Sequence, residues 1–96
     1  MKIDFNKNED ILTISLEGRL DTITAPELEA SLKSKLSGVE SVVVDCEKLE
    51  YISSAGLRVL LAINKKFNNR FTLVNVQELV MEVLEVTGFA SILEIK

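Results

Sequence analysis

Val42-Val43-Val44-Asp45-Cys46-Glu47-Lys48-Leu49-Glu50-Tyr51-Ile52-Ser53-Ser54-Ala55-Gly56-Leu57 is the stretch that decides how this chain reads. Three consecutive valines lack alternation, the pattern of a parallel strand covered by helices on both faces. They deliver Asp45 into what reads as a short loop, and that loop ends on Ser53 and Ser54 ahead of a strongly apolar helix. Hydroxyls at a helix start meet N–H groups without intrahelical partners, where the dipole favours negative charge. A phosphate suits that position. So does a plain capping hydroxyl.

Strand and helix patterns extend from this segment in both directions. Leu12, Ile14 and Leu16 alternate with Thr13 and Ser15, and Ile3 and Phe5 alternate likewise. With the polar Lys7-Asn8-Glu9-Asp10 between them, the two runs predict a hairpin. Gly18-Arg19-Leu20-Asp21 closes the second strand. Thr24-Ala25-Pro26-Glu27 predicts a helix start, with Thr24 as cap, Glu27 returning the bond and Pro26 in the first turn, where its missing N–H costs nothing. Leu28, Leu32 and Leu36 continue as an apolar stripe as far as Gly38.

Helix two is predicted from Ser54 or Ala55 to Asn68, with Leu57, Leu60, Leu61 and Phe67 inward. Val59, Ala62 and Ile63 widen its apolar surface beyond what one sheet face needs. Phe71 to Val76 reads as a strand. Gln77 to Thr87 reads as a third helix, with Leu79, Val80, Val83 and Leu84 inward and Gly88 as its stop, and Ile92 to Ile95 as a last short strand. The expected fold is α/β: one domain over residues 1–96, an open mixed sheet in the order β-β-α-β-α-β-α-β with packed helices and right-handed crossovers.

Composition narrows the function. A chain of 96 residues that is 47% hydrophobic and 27% charged suits one globular domain rather than disorder. A net charge of −4 with no basic block argues against a nucleic-acid partner. No apolar run approaches the roughly 18 residues of a membrane span, so no insertion is expected. Met1-Lys2-Ile3-Asp4-Phe5-Asn6 is polar where a signal peptide needs an apolar core, and with the lone Cys46, read as a buried filler, this fits a reducing cytoplasm. There is no histidine, which removes the commonest general acid/base and metal ligand. Neither catalysis, nor a cofactor, nor a metal site is expected.

Gly18-Arg19-Leu20-Asp21 with Thr24-Ala25, then Val44-Asp45, then Tyr51-Ile52-Ser53-Ser54-Ala55-Gly56-Leu57, together resemble the STAS domain of bacterial anti-sigma factor antagonists, also called anti-anti-sigma factors. The likeness covers nearly the whole chain, and the serine-bearing segment is its specific part. It implies a protein that, unphosphorylated, binds an anti-sigma factor, usually also a serine kinase, and so frees the sigma factor. It also implies that phosphorylation of one serine breaks the complex and that a serine phosphatase restores it. By position the acceptor is Ser54, two residues before Gly56. The family often has aspartate just before the acceptor and serine or threonine just after. This chain has Ser53 and Ala55 there, which makes Ser53 the alternative acceptor. STAS-like modules also occur as cytoplasmic partners of membrane transporters, a role that needs no phosphorylation.

The candidate partner-binding set is Asp21, Thr22, Ser53, Ser54, Ala55, Gly56, Arg58, Val59 and Ala62. Each has a plainer reading beside it. Ser54 and Thr24 serve as helix caps, Gly56 permits close packing, and Asp21 and Asp45 bond turn N–H groups. If the strands before them are neighbours, Asp21 and Asp45 both border the serine segment. Thr22 and Ile23 extend the contact surface. Arg58 with Val59, Ala62 and Ile63 forms either a partner-facing patch or a contact with the third helix. Tyr51 packs or displays its hydroxyl; the sequence leaves both open.

Overall fold

In the computed structural model, which describes residues 1–96, the first strands form the expected hairpin. β1 (Lys2–Asn8) pairs antiparallel with β2 (Ile11–Leu20) across the two-residue connection Glu9-Asp10, and Glu9 adopts a left-handed φ of 58°. Then come α1 (Ala25–Leu32), β3 (Ser41–Ile52), α2 (Ser54–Lys66), β4 (Phe71–Val74), α3 (Glu78–Val86), a 3₁₀ turn (Phe89–Ser91) and β5 (Glu94–Ile95). The strands lie in the order β1-β2-β3-β4-β5, and every pair after the hairpin is parallel. Stepping always to the next neighbour with right-handed crossovers puts all three helices on one sheet face.

That one-sided arrangement corrects the reading of the valine run. Leu12, Ile14 and Leu16 of β2, Val42, Val44 and Cys46 of β3 and Phe71 and Leu73 of β4 are buried under the helices. Thr13, Ser15, Val43, Asp45, Thr72 and Val74 alternate with them and are only half-buried. Val43 therefore faces an uncovered surface. Val43 is flanked across the sheet by Thr13 and Thr72, and with an antiparallel hairpin at the edge this face can meet water.

The expected loop after Asp45 is instead strand. β3 runs 12 residues, and its pairing with β2 slips twice: Ser15 faces Asp45 but Glu17 faces Lys48, and Gly18 faces Leu49 but Arg19 faces Tyr51. Each slip inserts one extra residue on β3, a bulge that shifts the phase of its side chains. Inward positions consequently fall at Cys46, Leu49 and Ile52.

The helices depart from expectation in detail. α1 ends at Leu32, where Lys35 N–H bonds back to the Leu32 carbonyl, although Leu36 still packs on the core. Thr24 and Glu27 do not form the expected capping pair, because the Thr24 hydroxyl is engaged elsewhere. Val59 and Ile63 are buried and line a groove with Leu32 and Leu36, so their neighbour is α1 rather than the third helix. Leu61, expected inward, is half-buried. Leu79, also expected inward, is 54% exposed, and Ile92 stands outside the last strand. Gly88 stops α3 as expected, with φ 83°.

Gly56, in the first turn of α2, is where the helix touches the sheet. A Cβ there would lie 2.7 Å from Leu20 Cγ, 2.9 Å from the Leu20 carbonyl oxygen and 3.0 Å from Ile52 Cγ1. The carbonyl belongs to a paired strand and cannot swing aside. Helix propensity alone favours alanine over glycine by about 1 kcal/mol. Forcing atoms into a packed site costs about 1–3 kcal/mol. Gly56→Ala is accordingly expected to lower the melting temperature by several degrees in a calorimetric scan; a rise would show that the approach to Leu20 is loose.

Candidate functional site

The parallel pairing of β2 with β3 brings two connections to one sheet edge. Leu20 faces Ile52, and Ser53 N–H donates to the Leu20 carbonyl at 2.9 Å. The turn after β2, residues 21–24, thus lies beside the first turn of α2. Residues some thirty positions apart in sequence become neighbours.

In the turn, Asp21 does the capping. Its Oδ1 accepts from Ile23 N–H and Thr24 N–H, each at 3.0 Å, while Thr24 Oγ1 accepts from Asp21 N–H at 2.9 Å. This is the reciprocal geometry of a capping box, three residues earlier than Thr24 and Glu27 suggested. Thr24 Oγ1 spends its own proton on the Arg19 carbonyl at 2.6 Å. These N–H donors, Thr24 first, hold the Asp21 carboxyl below the usual carboxylate range, with Arg19 adding a weaker attraction.

At the start of α2 the two serines differ. Ser53 is the N-cap, with extended backbone, and its Oγ accepts from Gly56 N–H over a long 3.5 Å. Its carbonyl takes the Leu57 N–H at 2.9 Å. Ser54 is the first helical residue; it is exposed, and its hydroxyl makes no hydrogen bond within the chain. The plainer reading of Ser54 as the cap therefore passes to Ser53. Arg58 and Ala62 follow at intervals of four, both exposed, and continue the Ser54 side of the helix.

Around this edge, Thr22 and Ile23 are exposed, Ile23 to 79%. Asp21, Ser53 and Ala55 are half-buried. Gly56 and Val59 are buried, Val59 retaining 8% exposure, so both shape the helix seat and neither presents a contact surface. A feature the sequence reading left open is the fate of Tyr51. The Arg19 guanidinium carbon lies 4.3 Å above its ring centroid and the Arg19 Nε lies 3.9 Å from Asp21, tying strand end, ring and turn together. Only the strand register reveals this pairing.

Asp45 is not part of the site. It lies seven residues before the end of β3, roughly 20 Å away at the rise of a strand, on the uncovered face. There its Oδ1 accepts from Glu47 N–H at 3.0 Å and from Asn75 Nδ2 at 3.2 Å. Cys46 is buried, and desolvation with the nearby Asp45 charge pushes its thiol up to about 12. It is unreactive at neutral pH. No helix is long and apolar enough to cross a membrane.

The Asp21 cap has a pH signature. A carboxylate held below its unfolded value contributes stability above that unfolded value, and loses it as pH falls through the folded one. Asp21→Ala is expected to melt below the parent chain at neutral pH. The gap between the two should close on acidification below the ordinary carboxylate range; a gap that persists in acid would show that the carboxylate charge is not what holds the turn.

Comparison with known proteins gives this geometry a setting. A family model, the STAS domain, matches residues 2–96. BtrV of Bordetella bronchiseptica, a candidate anti-sigma factor antagonist, is 38% identical over 96 residues, covering 96% of this chain and 83% of its own. An anti-sigma factor antagonist from Mycobacterium paratuberculosis superposes with a TM-score of 0.85 at 22% identity, covering 98% of this chain and 83% of its own. The Bacillus cell fate determinant SpoIIAA in its phosphorylated form superposes with a TM-score of 0.73 at 16% identity, covering 99% of this chain and 91% of its own. The two superpositions establish the fold; the family match and the BtrV identity establish descent, and this chain belongs to the STAS domain family.

Proposed function

We propose that this protein is an anti-sigma factor antagonist whose binding is switched by phosphorylation of Ser54. Unphosphorylated, it docks on an anti-sigma factor through the edge made by Thr22, Ile23, Ser54, Arg58 and Ala62, with Asp21, Ser53 and Ala55 holding that edge in shape. The anti-sigma factor, acting as a serine kinase, transfers the γ-phosphoryl group of ATP to Ser54 Oγ. The serine's proton leaves, the bond to the β-phosphate oxygen breaks, and ADP departs. A serine phosphatase in the same cytoplasm reverses the change by hydrolysis. The chain itself performs no catalysis in this cycle.

The observation that carries the reading is the division of labour between the serines. Ser53 caps the helix, and Ser54 stands exposed with an uncommitted hydroxyl. The named relatives support the partner class. A phosphate brings about −1.5 to −2 charges. At the first helical position it meets free N–H groups and the positive end of the dipole, so the fold tolerates it. A partner surface packed over the same oxygen does not. A loss of about 4 kcal/mol there weakens binding roughly a thousandfold, which is a switch without rearrangement.

With the anti-sigma factor encoded by the same genome and Mg-ATP, the chain is expected to gain one phosphate by intact-mass spectrometry, mapped to Ser54. Ser54→Ala should stay folded and unlabelled, while Ser53→Ala should still be labelled and lose some thermal stability. In calorimetric titration Ser54→Glu should bind the partner at least about a hundredfold more weakly than the parent, a shift of roughly 2.7 kcal/mol. Full labelling of Ser54→Ala, or undiminished binding by Ser54→Glu, would refute the assignment.

A further inference from the structure

α3 carries an apolar stripe that the fold leaves uncovered. Val80 and Leu84 pack into the core, but Leu79 is 54% and Val86 82% exposed, with half-buried Val83 between them. These three recur at helical spacing along one side, and with Glu82 and Thr87 they line a shallow depression. Of the five large hydrophobic residues exposed anywhere in the chain, three fall between Glu78 and Ile95: Leu79, Val86 and Ile92. Val83 leans partly on the core, while Leu79 and Val86 stand largely in solvent, and such a stripe is a candidate contact surface.

Charge says what covers it. The segment from Gln77 to Ile95 contains four glutamates, Glu78, Glu82, Glu85 and Glu94, and no lysine or arginine. The rest of the chain holds 11 acidic and 11 basic residues, so the whole net charge of −4 resides in this segment. All four glutamates are exposed. A second copy of the chain would bring an equally acidic face, and a nucleic acid or an anionic bilayer carries the same sign. What complements an apolar stripe rimmed by glutamates is an amphipathic helix with lysine or arginine beside its apolar face.

We infer that the outer face of α3 is a second protein-docking surface, distinct from the serine edge, that takes a basic amphipathic helix of a partner. Leu79, Val83 and Val86 supply the apolar seat; Glu78, Glu82 and Glu85 set orientation and reject acidic partners. The stripe covers about two helical turns, roughly 10 Å, which suits a weak, transient contact. Ser54 is on a different helix, so occupancy of this face does not require the serine to be in either state.

The test is a titration of the isotope-labelled full chain, followed by amide NMR shifts, with a synthetic helical peptide whose leucines form one face and whose other positions are lysine. A control peptide keeps the leucines and replaces lysine by glutamate. The lysine peptide is expected to shift α3 amides saturably and the control to leave them unmoved. Val86→Ser should weaken binding at least about tenfold, and Glu82→Lys with Glu85→Lys should abolish it. These side chains are exposed, so the variants keep their fold, checked by the unshifted core amides. Three results would overturn the inference: shifts scattered over the open sheet face, equal binding of both peptides, or sedimentation showing a dimer that covers α3. Failure here leaves the Ser54 reading intact, because that reading is tested by phosphate mapping.

Discussion

The seam between the end of β2 and the first turn of α2 fixes everything else at the candidate face. One backbone bond, Ser53 N–H to the Leu20 carbonyl, and one absent side chain, Gly56 against the same carbonyl, hold helix and strand at contact distance. Because β2 and β3 are parallel neighbours, the connections leaving them emerge at a single sheet edge, where ligand and partner sites of open α/β sheets gather. The turn holding Asp21 and the helix holding Ser54 are therefore held against one another. A residue with a Cβ at position 56 would push them apart and leave the serine on a loosely seated helix.

Within that body the polar groups are assigned without overlap. The Asp21 carboxylate and Thr24 hydroxyl satisfy the free N–H groups at the start of the turn, and Ser53 satisfies one at the start of α2. Ser54 is left with no structural duty. That matters for a modification site, since a hydroxyl already required by a helix end would cost stability when esterified. A charge added at Ser54 would fall where the helix dipole favours it, and its effect would be felt by whatever rests on the surface.

Much of this was legible in sequence, and the failures have physical causes. The hairpin, the element order and the start of α2 followed from alternation and from Gly, Ser and Pro placement, which are local signals. The strand from Asp45 to Ile52 was hidden because two bulges break its period: buried residues fall at Cys46, Leu49 and Ile52, a spacing no strand template recognises. The three valines suggested a sheet covered twice, but β-branched residues also sit comfortably on a bare pleated surface. Two overlapping capping boxes competed for Thr24, and the one begun by Asp21 won because the Thr24 hydroxyl was already bonded to its strand. Leu79 fitted an inward stripe by spacing alone; only the seating of α3 against β3 decides which side of it is wet.

Under the proposed switch, the distribution of charge lets one phosphate on Ser54 change what the serine edge recognises. Arg19 is already engaged by the Tyr51 ring and by Asp21, so it is a poor counter-charge for anything new. Arg58, one turn beyond Ser54 and without an ion-pair partner, is the nearest remaining cation on that side of the helix. A doubly charged group outweighs it, and the local field changes sign rather than merely weakening. The excess acidity of the chain lies on α3 and β5, away from α2, with three of its four glutamates on α3. A nearly balanced edge is the condition under which a single esterified hydroxyl makes the largest relative difference.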